Sequence, residues 1–210
     1  NAASDKGGGI AVNGGLLLLE ECDVLSNNAT TLGGGLATTQ AGALANVSAS
    51  RLRFNRAGHA GGGASNLAAL WLQQTDVSNN SASLGGGLYN YNPDSTKGAP
   101  APRLTAVDSN LTGNVADGGT SPNIAGAALY NDHPGAAGGP PCSVVLAGAL
   151  LRDNVARGDD VRSASASAGA TIFSPTPSVV YELPAPLGHS VGLAYVCQKV
   201  DCIGSDANTC

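Results

Sequence analysis

The chain is poor in the residues from which most globular cores are built: aromatics make up 4% of its 210 residues and Met is absent. Its interior must be assembled from small and aliphatic side chains, which argues against an ordinary globular enzyme, whose core leans on large rings. Charge is scarce too, at 12% against a usual share of about 25%. The ten Lys and Arg form no run and the net charge is −5, so the basic footprint that nucleic-acid binding requires is missing. The longest apolar stretch, Val144 to Leu151, falls well short of the ~20 residues of a membrane-spanning helix. No cofactor or metal is expected. The Gly-rich segments lack the following Lys-Ser or Lys-Thr of a phosphate loop, the three His are isolated, and the Cys spacing lacks paired C-x2-C knuckles.

What the chain has in excess is Gly, 30 residues where about 15 would be usual, and the excess is periodic. Triplets recur at Gly7-Gly8-Gly9, Gly33-Gly34-Gly35, Gly61-Gly62-Gly63 and Gly85-Gly86-Gly87, with weaker copies at Gly126-Ala127-Ala128 and Gly169-Ala170-Thr171. Between them lies an aliphatic residue followed three positions later by Asn, from Val24 to Asn27, Leu52 to Asn55, Val77 to Asn80, Leu111 to Asn114 and Leu151 to Asn154. Upstream of each motif stand two apolar residues separated by one: Leu17 and Leu19, Ala45 and Val47, Leu70 and Leu72, Leu104 and Ala106, Val144 and Leu146. That alternation is a strand with one buried face. Another strand follows each triplet, so each unit reads as about three short strands separated by Gly or Asn corners.

The Asn series begins at Asn1 and steps by 26, 28, 25, 34 and 40 residues. A unit of about 25 residues with two late insertions predicts an all-β fold, a parallel β-helix (solenoid) of about six turns over 1–173. Turns spaced ~4.8 Å apart would make a rod of about 25–30 Å. Asn1, Asn27, Asn55, Asn80, Asn114 and Asn154 are expected to form an inward ladder along its axis. Because the repeat is under way at Asn1, further repeats are expected upstream. Residues 174–210, Pro-rich and without the Asn motif, are expected to be a cap or linker. Cys142, Cys197, Cys202 and Cys210 are its disulfide candidates, and Cys22, at a small inward position, is the expected free thiol.

Gly-Gly-(Ala/Gly)-(Ile/Leu) paired with aliphatic/Phe-x-x-Asn resembles the repeats of polymorphic outer membrane proteins, the chlamydial adhesin type, and of pectin-lyase-like β-helices. Gly7 to Ile10, Gly33 to Leu36 and Gly85 to Leu88 carry the first half, with Val or Leu where Phe is usual in the second. The resemblance implies a right-handed parallel β-helix outside a cell, in a larger surface or adhesive assembly.

Three kinds of site follow. N-glycosylation sequons occur at Asn28, Asn46, Asn79 and Asn110. The strand after the triplet puts Ala11, Ala37, Ser65, Tyr89, Tyr130 and Phe173 at one outward position. Tyr89, Tyr130 and Phe173 are therefore a candidate carbohydrate platform, or else a stack that packs under the neighbouring inserts. Carboxylates for polysaccharide hydrolysis would be drawn from Glu21, Asp23, Asp76, Asp159 and Asp160, since that chemistry needs a converging pair. Of the motifs a polygalacturonase-like site needs, only Gly158-Asp159-Asp160 and Gly58-His59-Ala60 come near, so the acids read as solvated outward residues. The sequence thus favours a non-catalytic extracellular module whose partners are other segments of a surface assembly, with glycans as candidate ligands. A polysaccharide-active enzyme or carbohydrate-binding module on the same scaffold is the alternative.

Overall fold

The computed structural model describes residues 1–92, 100–118, 126–132, 142–157, 172–173 and 180–183. Among them every regular element is a β-strand, and the strands stack into four parallel sheets. Successive repeats supply successive strands of each sheet. Sheet I starts with Ala2–Ala3 and continues through Asn28–Ala29, Arg56–Ala57, Ser81–Ala82, Val115–Asp117 and Val155–Arg157. Sheet II holds Ile10–Val12, Leu36–Thr38, Ala64–Asn66, Leu88–Tyr91, Leu129–Asp132 and Ile172–Phe173. Sheet III holds the longer strands Leu16–Glu20, Leu44–Ser48, Ala69–Gln73, Arg103–Val107 and Ser143–Ala147, then Val180–Leu183. Sheet IV is built from Asp23–Leu25, Arg51–Arg53, Asp76–Ser78, Asn110–Thr112 and Leu150–Arg152.

Each unit therefore carries four strands where the sequence suggests three, because the two or three residues after each ladder Asn pair with the next repeat. The register keeps like positions together: Leu36 pairs with Ala64, Leu70 with Leu104, and Val77 with Leu111. Residues 93–99, 119–125 and 133–141, where the late insertions fall, lie outside the described set. Strand Val180–Leu183 pairs with Ser143–Ala147 in parallel and adds a further strand to sheet III within the segment read as cap or linker. Cys197, Cys202 and Cys210 lie outside the described residues.

One continuous apolar column fills the interior. Leu36, Val47, Leu52, Leu70, Leu72, Val77, Leu88, Leu104, Leu111, Leu129 and Val144 are all essentially inaccessible and belong to one cluster. Each fully buried Leu or Val contributes about 1.5–3 kcal/mol, which is how a core with few rings holds together.

The corners use two devices. The Gly triplet is a place where backbones touch. Gly33 has φ +63°, and a Cβ there would collide with the carbonyl of Leu36. A Cβ on Gly35 would come within 2.6 Å of the Gly63 carbonyl and 2.9 Å of Asn55 Nδ2. The corners on either side of sheet IV turn through single left-handed residues, mostly not Gly: Glu21, Ala49, Gln74 and Asp108 before it, and Ser26, Phe54, Asn79 and Asp153 after it. Gly148 and Gly113 take the same two positions in other repeats. Hydrogen bonding continues around the triplet corner, for example from Gly33 N–H to Ala60 O and Gly61 N–H to Leu84 O at 3.0 Å each.

Candidate functional site

Polar side chains inside the coil form ladders that run along its axis. In the first, the backbone N–H and Nδ2 of each Asn both donate to Oδ1 of the Asn one repeat on. Asn27 reaches Asn55 at 3.0 and 3.1 Å, Asn55 reaches Asn80 at 2.9 and 3.1 Å, Asn80 reaches Asn114 at 3.0 and 3.1 Å, and Asn114 reaches Asn154 at 3.0 and 2.9 Å. The second Nδ2 proton goes back to the motif aliphatic of the previous repeat, from Asn55 to Val24 O, Asn80 to Leu52 O, Asn114 to Val77 O and Asn154 to Leu111 O, at 2.8–2.9 Å. All five side chains are buried, so their polar atoms need these partners. Asn1 is exposed, and its carbonyl accepts from the Asn28 N–H at 2.9 Å.

A second amide ladder, which the sequence reading missed, lies on sheet II. Thr38 Oγ1 donates to Asn66 Oδ1, Asn66 Nδ2 to Asn90 Oδ1, and Asn90 Nδ2 to Asn131 Oδ1, each at 2.8 Å. Its signal was present as Asn two residues after the aliphatic residue that follows each triplet, in Ala64 to Asn66, Leu88 to Asn90 and Leu129 to Asn131. The small inward residues ahead of sheet IV form a third set. Cys22 N–H donates to Ser50 Oγ at 3.0 Å and Thr75 N–H to Ser109 Oγ at 3.1 Å. Cys22 is half-buried with a free thiol, its Sγ donating to Glu20 O at 3.1 Å, while Cys142 is buried.

The outward position of sheet II departs from expectation. Ala37 and Ser65 are inaccessible, and Tyr89 and Tyr130 retain only 4% and 5% exposure. Tyr89 and Tyr130, together with Leu32, Ala60 and Leu67, form a second apolar cluster outside the main column. Tyr89 stacks on Tyr91 at 5.5 Å and lies 5.6 Å from Tyr130 at a tilt of 40°. Of the two readings of Tyr89, Tyr130 and Phe173, sugar platform or packed stack, the burial of Tyr89 and Tyr130 agrees with the packed stack. Phe173 pairs with Tyr130 by backbone register. Ser65 Oγ is buried here without a hydrogen-bond partner. At the N-terminal end of this row a polar cleft of about 350 Å³ is lined by Asp5, Lys6, Ala11, Asn13, Thr39 and Gln40.

The described candidate acids, Glu21, Asp23 and Asp76, do not converge. On the outer face of sheet IV, Asp23, Arg51 and Asp76 occupy one register row. Arg51 grips Asp23 through two hydrogen bonds at 2.5 and 2.6 Å, and Arg53 pairs with Asp76. The hydrogen bond and then the charge of Asp23 hold the Arg51 guanidinium above its ordinary pKa. Asp23 and Asp76 thus each face a cation, while the buried Asp76 Oδ1 has no hydrogen-bond partner. Glu21 sits exposed at a left-handed corner. Among the described residues, no three His, Cys, Asp or Glu come together to hold a metal. Asp159 and Asp160 lie outside the described residues.

The sequon residues Asn28, Asn46, Asn79 and Asn110 are all exposed. Asn28 lies on sheet I, Asn46 on sheet III, Asn79 at a left-handed corner and Asn110 on sheet IV, so they are distributed around the coil. Searches against protein-family models, curated proteins and solved structures return no match to the chain.

Proposed function

We propose that this chain is a non-catalytic structural or adhesive module of an extracellular, cell-surface assembly, built as a right-handed parallel β-helix of about six turns. Its work is to hold a rigid axis and present side chains, inserts and N-linked glycans at fixed spacing. One observation carries this reading: the Asn ladder from Asn27 to Asn154 links every intervening repeat to the next through buried side-chain amides, in addition to the sheet hydrogen bonds. Such a column stiffens the coil along its length and contributes nothing to a surface reaction site. The likeness of the Gly triplet and aliphatic-x-x-Asn motifs to polymorphic outer membrane protein repeats supports an adhesive setting. In the same reading 174–210 caps the coil, with Cys142, Cys197, Cys202 and Cys210 as disulfide partners, and the module's partners are other segments of the same assembly.

The test is direct. The secreted full chain is incubated with pectin, polygalacturonate and a panel of neutral polysaccharides while reducing ends and unsaturated products are followed. Small-angle scattering on the same material should give a rod-like cross-section. No turnover together with a rod profile is the expected result. Turnover lost on Asp23→Asn or Asp76→Asn would overturn the proposal in favour of a polysaccharide-active enzyme.

A further inference from the structure

The outer face of sheet III carries apolar residues that no described part of the chain covers. Leu16 is 61% exposed, Leu18 65%, Leu44 40% and Trp71 44%. Register brings them together. Leu16 pairs with Leu44, Leu18 with Asn46, and Asn46 with Trp71. Asn46 therefore stands at the centre of the patch, with Leu18 on one side and Trp71 on the other at the ~4.8 Å strand spacing, and Leu44 two residues back on the same face. It is also the acceptor of the sequon Asn46-Val47-Ser48.

We propose that the occupant of this patch is the chain's own glycan. An N-linked oligosaccharide on Asn46 folds its first sugars onto the indole of Trp71 and the side chains of Leu18 and Leu44. This rests on the reading of the chain as a secreted glycoprotein and assigns one glycan a packing role. A pyranose presents apolar C–H faces flanked by hydroxyls. An indole beside the attachment point covers such a face while the hydroxyls stay in water. A cluster of exposed Leu and Trp is otherwise a liability on a sheet that must stay unaggregated. Of the four sequons only Asn46 stands between an exposed Leu and the Trp: Asn28 lies between Ala2 and Arg56, Asn110 between Asp76 and Leu150, and Asn79, at a left-handed corner, between the exposed Phe54 and Gly113.

The attachment balances as an ordinary transfer from a lipid diphosphate-linked oligosaccharide. The Asn46 Nδ2 nitrogen forms a bond to the anomeric carbon. The carbon–oxygen bond to the diphosphate breaks with its electron pair leaving on that group, and one Nδ2 proton passes to a base of the transferring enzyme. Transfer takes place on the extended chain before the strand pairs, so the folded sheet need not admit the donor.

Trp71 is the single Trp of the chain, so its fluorescence reports on this patch alone. The full chain is secreted from a glycosylating eukaryotic host, and its glycopeptides are mapped by mass. Acrylamide quenching of Trp71 is compared among the wild type, Asn46→Gln, Ser48→Ala and the control Asn28→Gln, with native mass measured by sedimentation. We expect Asn46 to be occupied and quenching to rise about twofold in Asn46→Gln and Ser48→Ala, since one ring face is uncovered, with no change in Asn28→Gln. An occupied Asn46 with quenching equal to that of Asn46→Gln overturns the packing role. Occupancy at other sequons but not at Asn46 overturns this inference and leaves the glycoprotein reading intact, whereas no occupancy anywhere overturns both. Trp71 protection that persists in Asn46→Gln with a doubled native mass assigns the patch to a second copy and equally overturns the proposal.

Discussion

Removing the amide of Asn80 tests the ladder where its bonds are densest. Asn80 is inaccessible, and its side chain takes part in four hydrogen bonds: it donates to Leu52 O and Asn114 Oδ1 and accepts from Asn55 N–H and Asn55 Nδ2. Asn80→Ala deletes all four. Asn55 Nδ2 keeps its bond to Val24 O, and Asn114 Oδ1 keeps the Asn80 N–H, but the Asn55 N–H loses the acceptor it had. At about 1 kcal/mol per net hydrogen bond the expected cost is about 4 kcal/mol. Asn27 is the internal comparison. Asn27→Ala deletes the single bond from Nδ2 to Asn55 Oδ1, which the Asn27 N–H still satisfies, so the cost should be about 1 kcal/mol. Asn80→Asp separates hydrogen bonding from volume. It keeps both acceptor bonds but turns the donor edge into a carboxylate oxygen facing Leu52 O and Asn114 Oδ1, and should cost no less than Asn80→Ala. Urea unfolding followed by both circular dichroism and Trp71 fluorescence supplies the values, two probes being needed because repeat arrays can unfold in parts. Equal costs for Asn27→Ala and Asn80→Ala, or a cost below about 1 kcal/mol for the latter, would refute the ladder's role.

Other substitutions probe separate parts of the coil. Gly33→Ala combines a left-handed backbone with a Cβ driven into Leu36 O and should cost more than about 2 kcal/mol in the same titration; an unchanged midpoint would contradict the close approach. Ser65→Ala removes a buried hydroxyl that has no partner and should raise stability by about 1 kcal/mol, whereas a loss of that size would mean the hydroxyl is bonded. Leu111→Ala, in the middle of the apolar column, should cost about 2–5 kcal/mol and lower the thermal midpoint; a smaller loss would show that the repeats on either side close the cavity.

Much of the coil was legible because its signals repeat. The Gly triplets, the paired apolar residues and the aliphatic-x-x-Asn motif recur in register, and register is what the parallel sheets preserve, as the row from Val24 through Leu52, Val77 and Leu111 to Leu151 demonstrates. The ladder Asn residues were legible for the same reason. The fourth strand was not, because a pair such as Asn28–Ala29 is too short to display a period. The ladder through Asn66, Asn90 and Asn131 was obscured because Val12 and Thr38 hold its first two positions. The corners before and after sheet IV were obscured too, since Glu21 and Phe54 are not residues that advertise a left-handed backbone.

The sequence by itself determined the repeat and the inward apolar and Asn27–Asn154 columns, because a period-two pattern repeated in register leaves few other ways to bury Leu and Val. Only the tertiary structure decided the fate of the outward faces. Alternation says that Tyr89 and Trp71 both point away from the main column, but one lies at 4% exposure among Leu32, Leu67 and Tyr130 while the other stands at 44% beside Asn46. That difference depends on which neighbouring corner folds over a sheet. Leu32, Ala60 and Leu67, from outside the strand, pack against Tyr89 and Tyr130, and the strand's own alternation carries no record of such neighbours.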